Sequence, residues 1–143
     1  MIYFDSTYLV RLYFEDAGYE AVRRLAVSNA IVCAQHGRAE VISAFHRKLR
    51  ERAIVTRLYQ TALRQFLDES YCGAFTWLPL SEIVFERVER VYAKLPANTF
   101  LRAADAMHLS AAAENGYREI YSNDARLLTA AAHFGLRGMD VIQ

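Results

Sequence analysis

Short apolar runs alternate with stretches of helical periodicity along this chain, and that alternation constrains its fold more than any other feature. Short runs rich in β-branched and aromatic residues are typical of buried strands, whereas apolar residues three and four positions apart indicate helices. The predicted strands are residues 1–4, 30–34, 75–80, 119–122 and 139–142, and the predicted helices are 6–16, 19–29, 38–52, 54–70, 81–95, 125–134 and a short one that follows Asp105 and stops at Gly116.

Strands that alternate with helices in this way predict a parallel sheet covered by helices on both faces. The chain has 143 residues, which favours a single domain spanning 1–143. In such sheets ligands bind beyond the carboxyl ends of the strands, so the residues that follow each strand are the first candidates for a site.

Composition excludes several classes of protein. With 54% hydrophobic residues the chain can bury a sizeable core, and its apolar runs are broken before the roughly 20 residues of a membrane span. Residues 1–10 lack the basic and small-residue features of a signal peptide, so we expect a cytoplasmic protein that binds no membrane. The net charge of +1 neither indicates nor excludes nucleic acid, and the two cysteines form neither a disulfide framework nor a zinc motif.

Acidic residues recur where helices begin. Asp5 directly follows the first predicted strand, and Asp124 closely follows the fourth. Glu40 lies six residues beyond the second strand, and Asp105 begins a short helix. Each acid taken alone could be an N-cap or a first-turn residue that suits the helix dipole. Asp5 is harder to explain in that way, because it interrupts an apolar junction between a strand and a helix.

The four acids taken together favour a metal site. If the strands that end near Phe4 and Tyr121 are neighbours, Asp5 and Asp124 lie within reach of each other. Two carboxylates about 4 Å apart repel by about 4 kcal/mol at an effective dielectric constant of 20, and a divalent cation removes that repulsion. Carboxylates without His or Cys suit Mg²⁺ or Mn²⁺. No strand directly precedes Asp105, so periodicity alone does not place it at this edge.

Four motifs, in order along the chain, carry a family resemblance: IYFDST at 2–7, GRAEVISAF at 37–45, LRAADAMHLSAA at 101–112 and YSNDARLL at 121–128. The series resembles the PIN-domain ribonucleases, and most closely the VapC-type toxins of bacterial toxin–antitoxin modules. The resemblance implies a three-layer α/β/α sandwich with a five-stranded, mostly parallel sheet. It implies that the catalytic and metal-binding residues are Asp5, Glu40, Asp105 and Asp124, which would hold Mg²⁺ or Mn²⁺.

The activity that the resemblance implies is hydrolysis of phosphodiester bonds in RNA, with transfer or ribosomal RNA as the expected substrate. The expected partners are a second copy of the chain and a cognate antitoxin protein. The family places a hydroxyl after the first acid and another two residues before the last, and these match Ser6 and Ser122. Asn123 could hydrogen-bond to substrate or water. Three arginines near the motifs are interpreted either as RNA contacts or as surface charge: Arg11, Arg102 and Arg126.

Two other functions compete with a nuclease. A non-catalytic RNA- or protein-binding module on the same scaffold would bind without metal-dependent turnover. A phosphotransfer or phosphatase domain would need a second aspartate two residues after Asp5, or an acid at the end of the third strand, where the chain has Thr7 and Ser81. His108, one helical turn after Asp105, is interpreted as a core or supporting residue, because a zinc site would need more nitrogen or sulfur ligands.

Overall fold

Helices and strands alternate as the sequence predicts, and each predicted element has a counterpart in the computed structural model, which describes residues 1–142. Within those residues the strands are β1 Ile2–Tyr3, β2 Ile31–Ala34, β3 Phe75–Leu78, β4 Glu119–Tyr121 and β5 Arg137–Met139. The helices are α1 Ser6–Val10, α2 Tyr19–Val27, α3 Gly37–Arg50, α4 Thr56–Tyr71, α5 Glu82–Lys94, α6 Ala103–Glu114 and α7 Ala125–Ala130, and a 3₁₀ helix, Ala131–Phe134, continues α7.

The strands pair in parallel, but they form two sheets rather than one. β1, β2 and β3 lie side by side in that order, and β4 pairs with β5. The sheets meet at a parallel bridge between Phe4 and Tyr121, where the N–H of Asp5 donates to the Tyr121 carbonyl at 3.0 Å. The predicted continuous five-stranded sheet is therefore wrong, because β1 pairs over two residues and meets β4 only beyond its own end. The predicted neighbourhood of residues 4 and 121 is confirmed.

The first helix is shorter than predicted. α1 ends at Val10, whereas the apolar pattern extends to residue 16. The guanidinium of Arg11 donates to the carbonyls of Thr7 and Ala17, each at 2.8 Å. These bonds hold the chain after α1 in a turn, so the apolar residues beyond Val10 enter the core from a non-helical segment.

The last strand lies earlier than predicted, at Arg137–Met139 instead of 139–142. The Asp140 carboxylate accepts from the N–H of Ile142 and from the hydroxyl of Tyr8, both at 2.9 Å, and this turns the chain away from β4. Gly138 lets this strand pack closely on α7, because a Cβ at that position would lie 2.8 Å from the side chain of Leu128.

Buried side chains cover both faces of the strands, as the three-layer prediction requires. Neighbouring residues of one strand enter opposite clusters: Tyr3 packs with α6 and α7, and Phe4 packs with α1, α3 and α4. Most residues of α6 are buried. One of them is Asp105, which is 5% exposed. Among residues 1–142, no helix has the length and apolar character to cross a membrane.

Candidate functional site

Asp5 is a buried carboxylate held in one orientation. It follows β1 and serves as the N-cap of α1, where its Oδ1 accepts from the N–H of Tyr8 at 3.2 Å. The hydroxyl of Thr7 donates to the same oxygen at 2.6 Å, and the hydroxyl of Ser122 donates to Oδ2 at 2.5 Å. Burial raises the pKa of the Asp5 carboxyl, and the hydrogen bonds from Ser122 and Thr7 only partly offset that effect.

Ser122 connects the first acid to the last. Its buried hydroxyl donates to Asp5 and accepts from the N–H of Asp124 at 2.9 Å. Asp124 is in turn the N-cap of α7, with Oδ1 accepting from the N–H groups of Arg126 and Leu127 at 2.9 and 3.4 Å. The strand edge therefore presents two acids whose orientation is fixed by backbone amides and one shared hydroxyl.

Asp105 reaches the same edge from α6. The N-cap position of α6 is Arg102, and Asp105 lies in the first turn, so the capping role considered for Asp105 is wrong. The Nε of Arg102 donates to Oδ2 of Asp105 at 2.9 Å, and its Nη2 donates to Oδ2 of Asp124 at 2.5 Å. Burial raises the pKa of Asp105, with a smaller contribution in the same direction from the charge of Asp124, while Arg102 opposes both. One guanidinium thus bridges two acids that would otherwise repel each other.

Glu40 lies in the first turn of α3, as predicted, and contacts two histidines. Its Oε1 hydrogen-bonds with Nε2 of His108 and lies 3.8 Å from Nε2 of His36. Burial disfavours the charged form of His108, but its contacts with Cys33 and Glu40 outweigh this and raise its pKa to about 10. The pKa of Glu40 is lowered: burial opposes the shift, and His108 more than compensates. Glu40 and His108 therefore form an ion pair at neutral pH.

His36 is a neighbour of the site that sequence reasoning missed. It is four residues before Glu40 and occupies the N-cap position of α3, and its ring lies 4.1 Å from that of His108 between centroids. Burial, assisted by the charge of His108, lowers the pKa of His36 to about 4. The i, i+4 spacing of His36 and Glu40 was the available signal, because it places both side chains on one face of a helix.

A cavity of about 690 Å³ lies against two of these acids, Glu40 and Asp124, whereas Asp5 and Asp105 do not line it. Arg102 lines it beside the acids, and Arg47 and Lys48 on α3 line another part, where Lys48 is paired with Asp16 at 2.5 Å. The cleft therefore combines carboxylates with cations that suit the phosphates of an anionic chain. Ser6 and Asn123, both predicted as supporting residues, also line it.

The three predicted arginine contacts have different surroundings. Arg102 lines the cavity and bonds to the acids, with its side chain 52% exposed. Arg11 also lines the cavity, but two of its nitrogens are occupied by carbonyls and it donates to Oδ1 of Asn123 at 3.3 Å. Arg126 instead lies over the ring of Phe100, 4.0 Å from its centroid. Arg102 is therefore the best placed of the three arginines to contact a molecule bound in the cleft.

The donor chemistry of the four predicted acids suits a hard divalent cation, because Asp5, Glu40, Asp105 and Asp124 supply only carboxylate oxygens. Within residues 1–142, the one set of three candidate ligand atoms within 4.8 Å of one another is that of His36, Glu40 and His108, so the four carboxylates are not gathered at metal-ligand separations. Asp5 and Asp105 are 3% and 5% exposed, and the pKa of each is raised. Burial thus disfavours the ionised forms of Asp5 and Asp105, and a bound cation would favour them.

The sequence matches the family model of the PIN domain over residues 2–133, which is most of the chain. This chain belongs to the PIN domain family. No curated protein matches it by sequence. The family assignment agrees with the parallel strands and with the position of the acids at their carboxyl ends.

Three solved structures share the fold of this PIN domain at 16% sequence identity. VapC20 of Mycobacterium tuberculosis, described as a toxin that cleaves the sarcin–ricin loop, aligns with a TM-score of 0.70 over 96% of this chain and 99% of its own. VapBC2 of Rickettsia felis, bound to a DNA fragment from its promoter, aligns with a TM-score of 0.67 over 98% of both chains. FitAB bound to a DNA fragment also gives 0.67, over 100% of this chain and 96% of that one.

Proposed function

We propose that this PIN domain is a metal-dependent endoribonuclease and the toxin of a type II toxin–antitoxin module. The observation that carries the proposal is the junction at which Ser122 joins Asp5 to Asp124 and Arg102 joins Asp124 to Asp105. Helix capping alone does not bring three acids from three different elements to one edge. The proposed ligands of Mg²⁺ or Mn²⁺ are Asp5, Glu40, Asp105 and Asp124, the last of them through a bound water.

The chemistry would be hydrolysis of a phosphodiester bond in RNA. A divalent cation held by the acids would supply Lewis acidity toward a non-bridging phosphate oxygen and toward the attacking water. Asp124, whose Oδ1 is occupied by backbone amides, would accept the proton of that water at Oδ2. Asp5 would stay ionised and fixed by Ser122 and Thr7. The products would be a 5′-phosphate and a 3′-hydroxyl.

The RNA strand would lie along the cavity beside α3. Arg47 and Lys48 would bind its phosphates, and Arg102 would leave the acids and bind the phosphate next to the cleaved bond. The described cleaving activity of VapC20 supports an RNA substrate of this kind, with ribosomal or transfer RNA as the expected class. Such a substrate would be met in the cytoplasm.

The proposed partners are a cognate antitoxin and a second copy of the chain. Two of the structural neighbours, VapBC2 and FitAB, are described as complexes bound to DNA fragments, which supports a two-component arrangement. An arginine supplied by the antitoxin would occupy the same acids that Arg102 now bridges. Exposed apolar side chains on α5 and after it support a homodimer: Ile83, Phe85, Tyr92 and Phe100.

A cleavage assay with matched variants tests the proposal. The chain is incubated with RNA, with and without Mg²⁺ or Mn²⁺, and we expect cleavage that a chelator abolishes. Asp5→Asn keeps the capping geometry but removes the charge, so activity should fall by more than about 100-fold. Asp68→Asn, an exposed acid on α4, is the control and should keep full activity. Undiminished cleavage in Asp5→Asn would refute the assigned chemistry.

The alternative function is a non-catalytic RNA- or protein-binding module. Arg102 favours it, because its guanidinium already neutralises part of the charge on Asp105 and Asp124 without a metal. This module would retain RNA in a gel-shift assay in the presence of a chelator and would cleave none when Mg²⁺ or Mn²⁺ is added. Binding of that kind, equal in the native chain and in Asp5→Asn, would support the alternative over the nuclease.

A further inference from the structure

Three side chains beside the carboxylates form a cluster of different chemistry. His36 and Glu40 belong to the start of α3 and His108 to α6, and each offers one ligand atom within 4.8 Å of the other two. Glu40 lies between the two imidazoles: it bonds to Nε2 of His108 and lies 3.8 Å from Nε2 of His36. The cluster is thus close to the ligand separations of a bound metal before any metal is present.

The hydrogen bonds of His36 leave part of its ring without a partner. Its Nε2 is 3.0 Å from the carbonyl of Ala104, to which it can only donate. Within residues 1–142 its Nδ1 is buried and has no hydrogen-bond partner. Nε2 is the nitrogen that lies toward Glu40, so a metal bound there would replace the Ala104 bond and the ring proton would move to Nδ1.

His108 is oriented by a partner behind it. The Tyr3 hydroxyl lies 2.7 Å from Nδ1 of His108 and also accepts from the N–H of Ala34 at 2.9 Å. This fixes the ring so that Nε2 faces Glu40. Metal-ligating imidazoles characteristically carry such a hydrogen bond on the nitrogen that does not bind the metal. The arrangement matches a positioned ligand as well as it matches an ion pair.

The donor set selects a different cation from the neighbouring carboxylates. Two imidazole nitrogens and one carboxylate oxygen are the ligands of Zn²⁺ in sites that keep a fourth position open. Mg²⁺ prefers oxygen ligands and would gain little from the two histidines. A metal here would replace the proton shared by Glu40 and His108, and that proton would go to solvent.

We propose that His36, Glu40 and His108 form a site for Zn²⁺ or a similar transition-metal ion, adjacent to the carboxylate site and sharing Glu40 with it. Occupancy by Zn²⁺ withdraws Glu40 from the other three acids. Zn²⁺ is then an inhibitor of the Mg²⁺-dependent reaction, and this consequence alone rests on the proposed nuclease function. Binding of the metal does not depend on it.

The site is tested with Co²⁺ in place of Zn²⁺. Zn²⁺ does not absorb visible light, whereas Co²⁺ absorbs it strongly when it is bound at a low coordination number. Metal-free protein is titrated with CoCl₂, and we expect intense visible absorption that saturates at one ion per chain. Added Zn²⁺ should abolish the absorption, and an equal concentration of Mg²⁺ should not. The absence of such absorption, or its equal loss with Mg²⁺, would overturn the proposal.

Variants assign the ion to these residues. His36→Gln should weaken Co²⁺ binding by more than about tenfold. Loss of a residue that only hydrogen-bonds to a ligand already costs about that much, and His36 is a ligand itself. His46→Gln is the control, since His46 is an exposed histidine on the same helix. It should bind Co²⁺ as the native chain does. Native-like binding by His36→Gln would overturn the proposal.

A third variant separates the two sites. Asp124→Asn keeps the α7 cap and removes one charge from the carboxylate site, so the Co²⁺ absorption should persist. Loss of the absorption in Asp124→Asn together with its retention in His36→Gln would place the ion among the carboxylates and overturn the proposal. If the native chain cleaves no RNA, the proposed nuclease function is wrong. The CoCl₂ titration still shows whether His36, Glu40 and His108 bind a metal.

Discussion

The two sides of the cleft hold their acids by different means. On the strand side, Asp5 and Asp124 accept backbone N–H groups and share the hydroxyl of Ser122, and only Asp124 has a cationic partner, Arg102. On the helix side, Glu40 is held by His108 and Asp105 by Arg102, which are charged side chains. The strand side is thus fixed mainly by chain topology, whereas the helix side depends on protonation and on the cations present. The comparison predicts that the helix side responds more strongly to pH and to competing metals.

The largest expected effect on stability comes from His108→Gln. His108 is 1% exposed and pairs with Glu40, so its removal leaves a half-buried carboxylate without its main cationic partner. We expect the free energy of unfolding in urea to fall by about 3 kcal/mol, at the lower end for a broken buried ion pair because Glu40 is partly exposed. His46→Gln should fall by less than about 0.5 kcal/mol. Equal effects in the two variants would show that the ion pair contributes nothing.

The pH dependence of stability tests the Glu40–His108 ion pair on the helix side. The pKa of His108 is raised in the folded chain from 6.5 to about 10, so its contribution is fully present below pH 6.5 and is lost as pH rises to 10. The free energy of unfolding of the metal-free chain should therefore decline between pH 6.5 and 10. In His108→Gln the decline should be shallower over the same interval. A native profile that rises in this window would contradict the assignment of the ion pair.

Ser122→Ala tests the strand side. The substitution removes a donor to Asp5 and leaves the N–H of Asp124 without its acceptor. RNA cleavage should fall by about 10- to 100-fold, as is typical when the outer partner of a metal ligand is lost. Ser28→Ala is the control and should keep full activity, because Ser28 is exposed at the end of α2 and does not line the cavity. Unchanged activity in Ser122→Ala would show that the acids keep their positions without the shared hydroxyl.

The smallest effect, and an opposite one, is expected for Arg102→Gln. Its half-exposed guanidinium competes with a divalent cation for Asp105 and Asp124. Because an exposed ion pair contributes at most about 1 kcal/mol, Mn²⁺ binding measured by calorimetry should tighten by up to about fivefold. Arg126→Gln, whose guanidinium lies over Phe100, should bind Mn²⁺ as the native chain does. Weaker binding in Arg102→Gln would show that Arg102 supports the metal site rather than competing with it.

The same contrast explains what the sequence could and could not predict. Asp5 and Asp124 were predictable because parallel strands end at one edge, and the bridge between Phe4 and Tyr121 confirms that their strands meet there. The division into two sheets was not predictable, since it depends on how few residues of β1 are paired. Hydrophobic patterning reports which residues are buried and gives little information on how many hydrogen bonds join two short strands.

The partners on the helix side are set by side-chain contacts that periodicity does not encode. Glu40 and His108 are 68 residues apart in the chain, and nothing in the spacing of either motif pairs them. The position of His36 depends on contacts between the start of α3 and α6, where its Nε2 lies 3.0 Å from the carbonyl of Ala104. Arg102 was interpreted either as an RNA contact or as surface charge, and its bond to Asp124 could not be predicted because it depends on the direction of a long side chain.

Diffraction from crystals soaked in Mn²⁺ shows whether the acids bind a cation, because the anomalous signal of Mn²⁺ locates the ion independently of activity. We expect a peak between the carboxylates of Asp5, Asp105 and Asp124, with the guanidinium of Arg102 displaced from the acids. A native chain that shows no peak at this edge at saturating Mn²⁺, with Arg102 still bridging Asp105 and Asp124, would contradict this expectation.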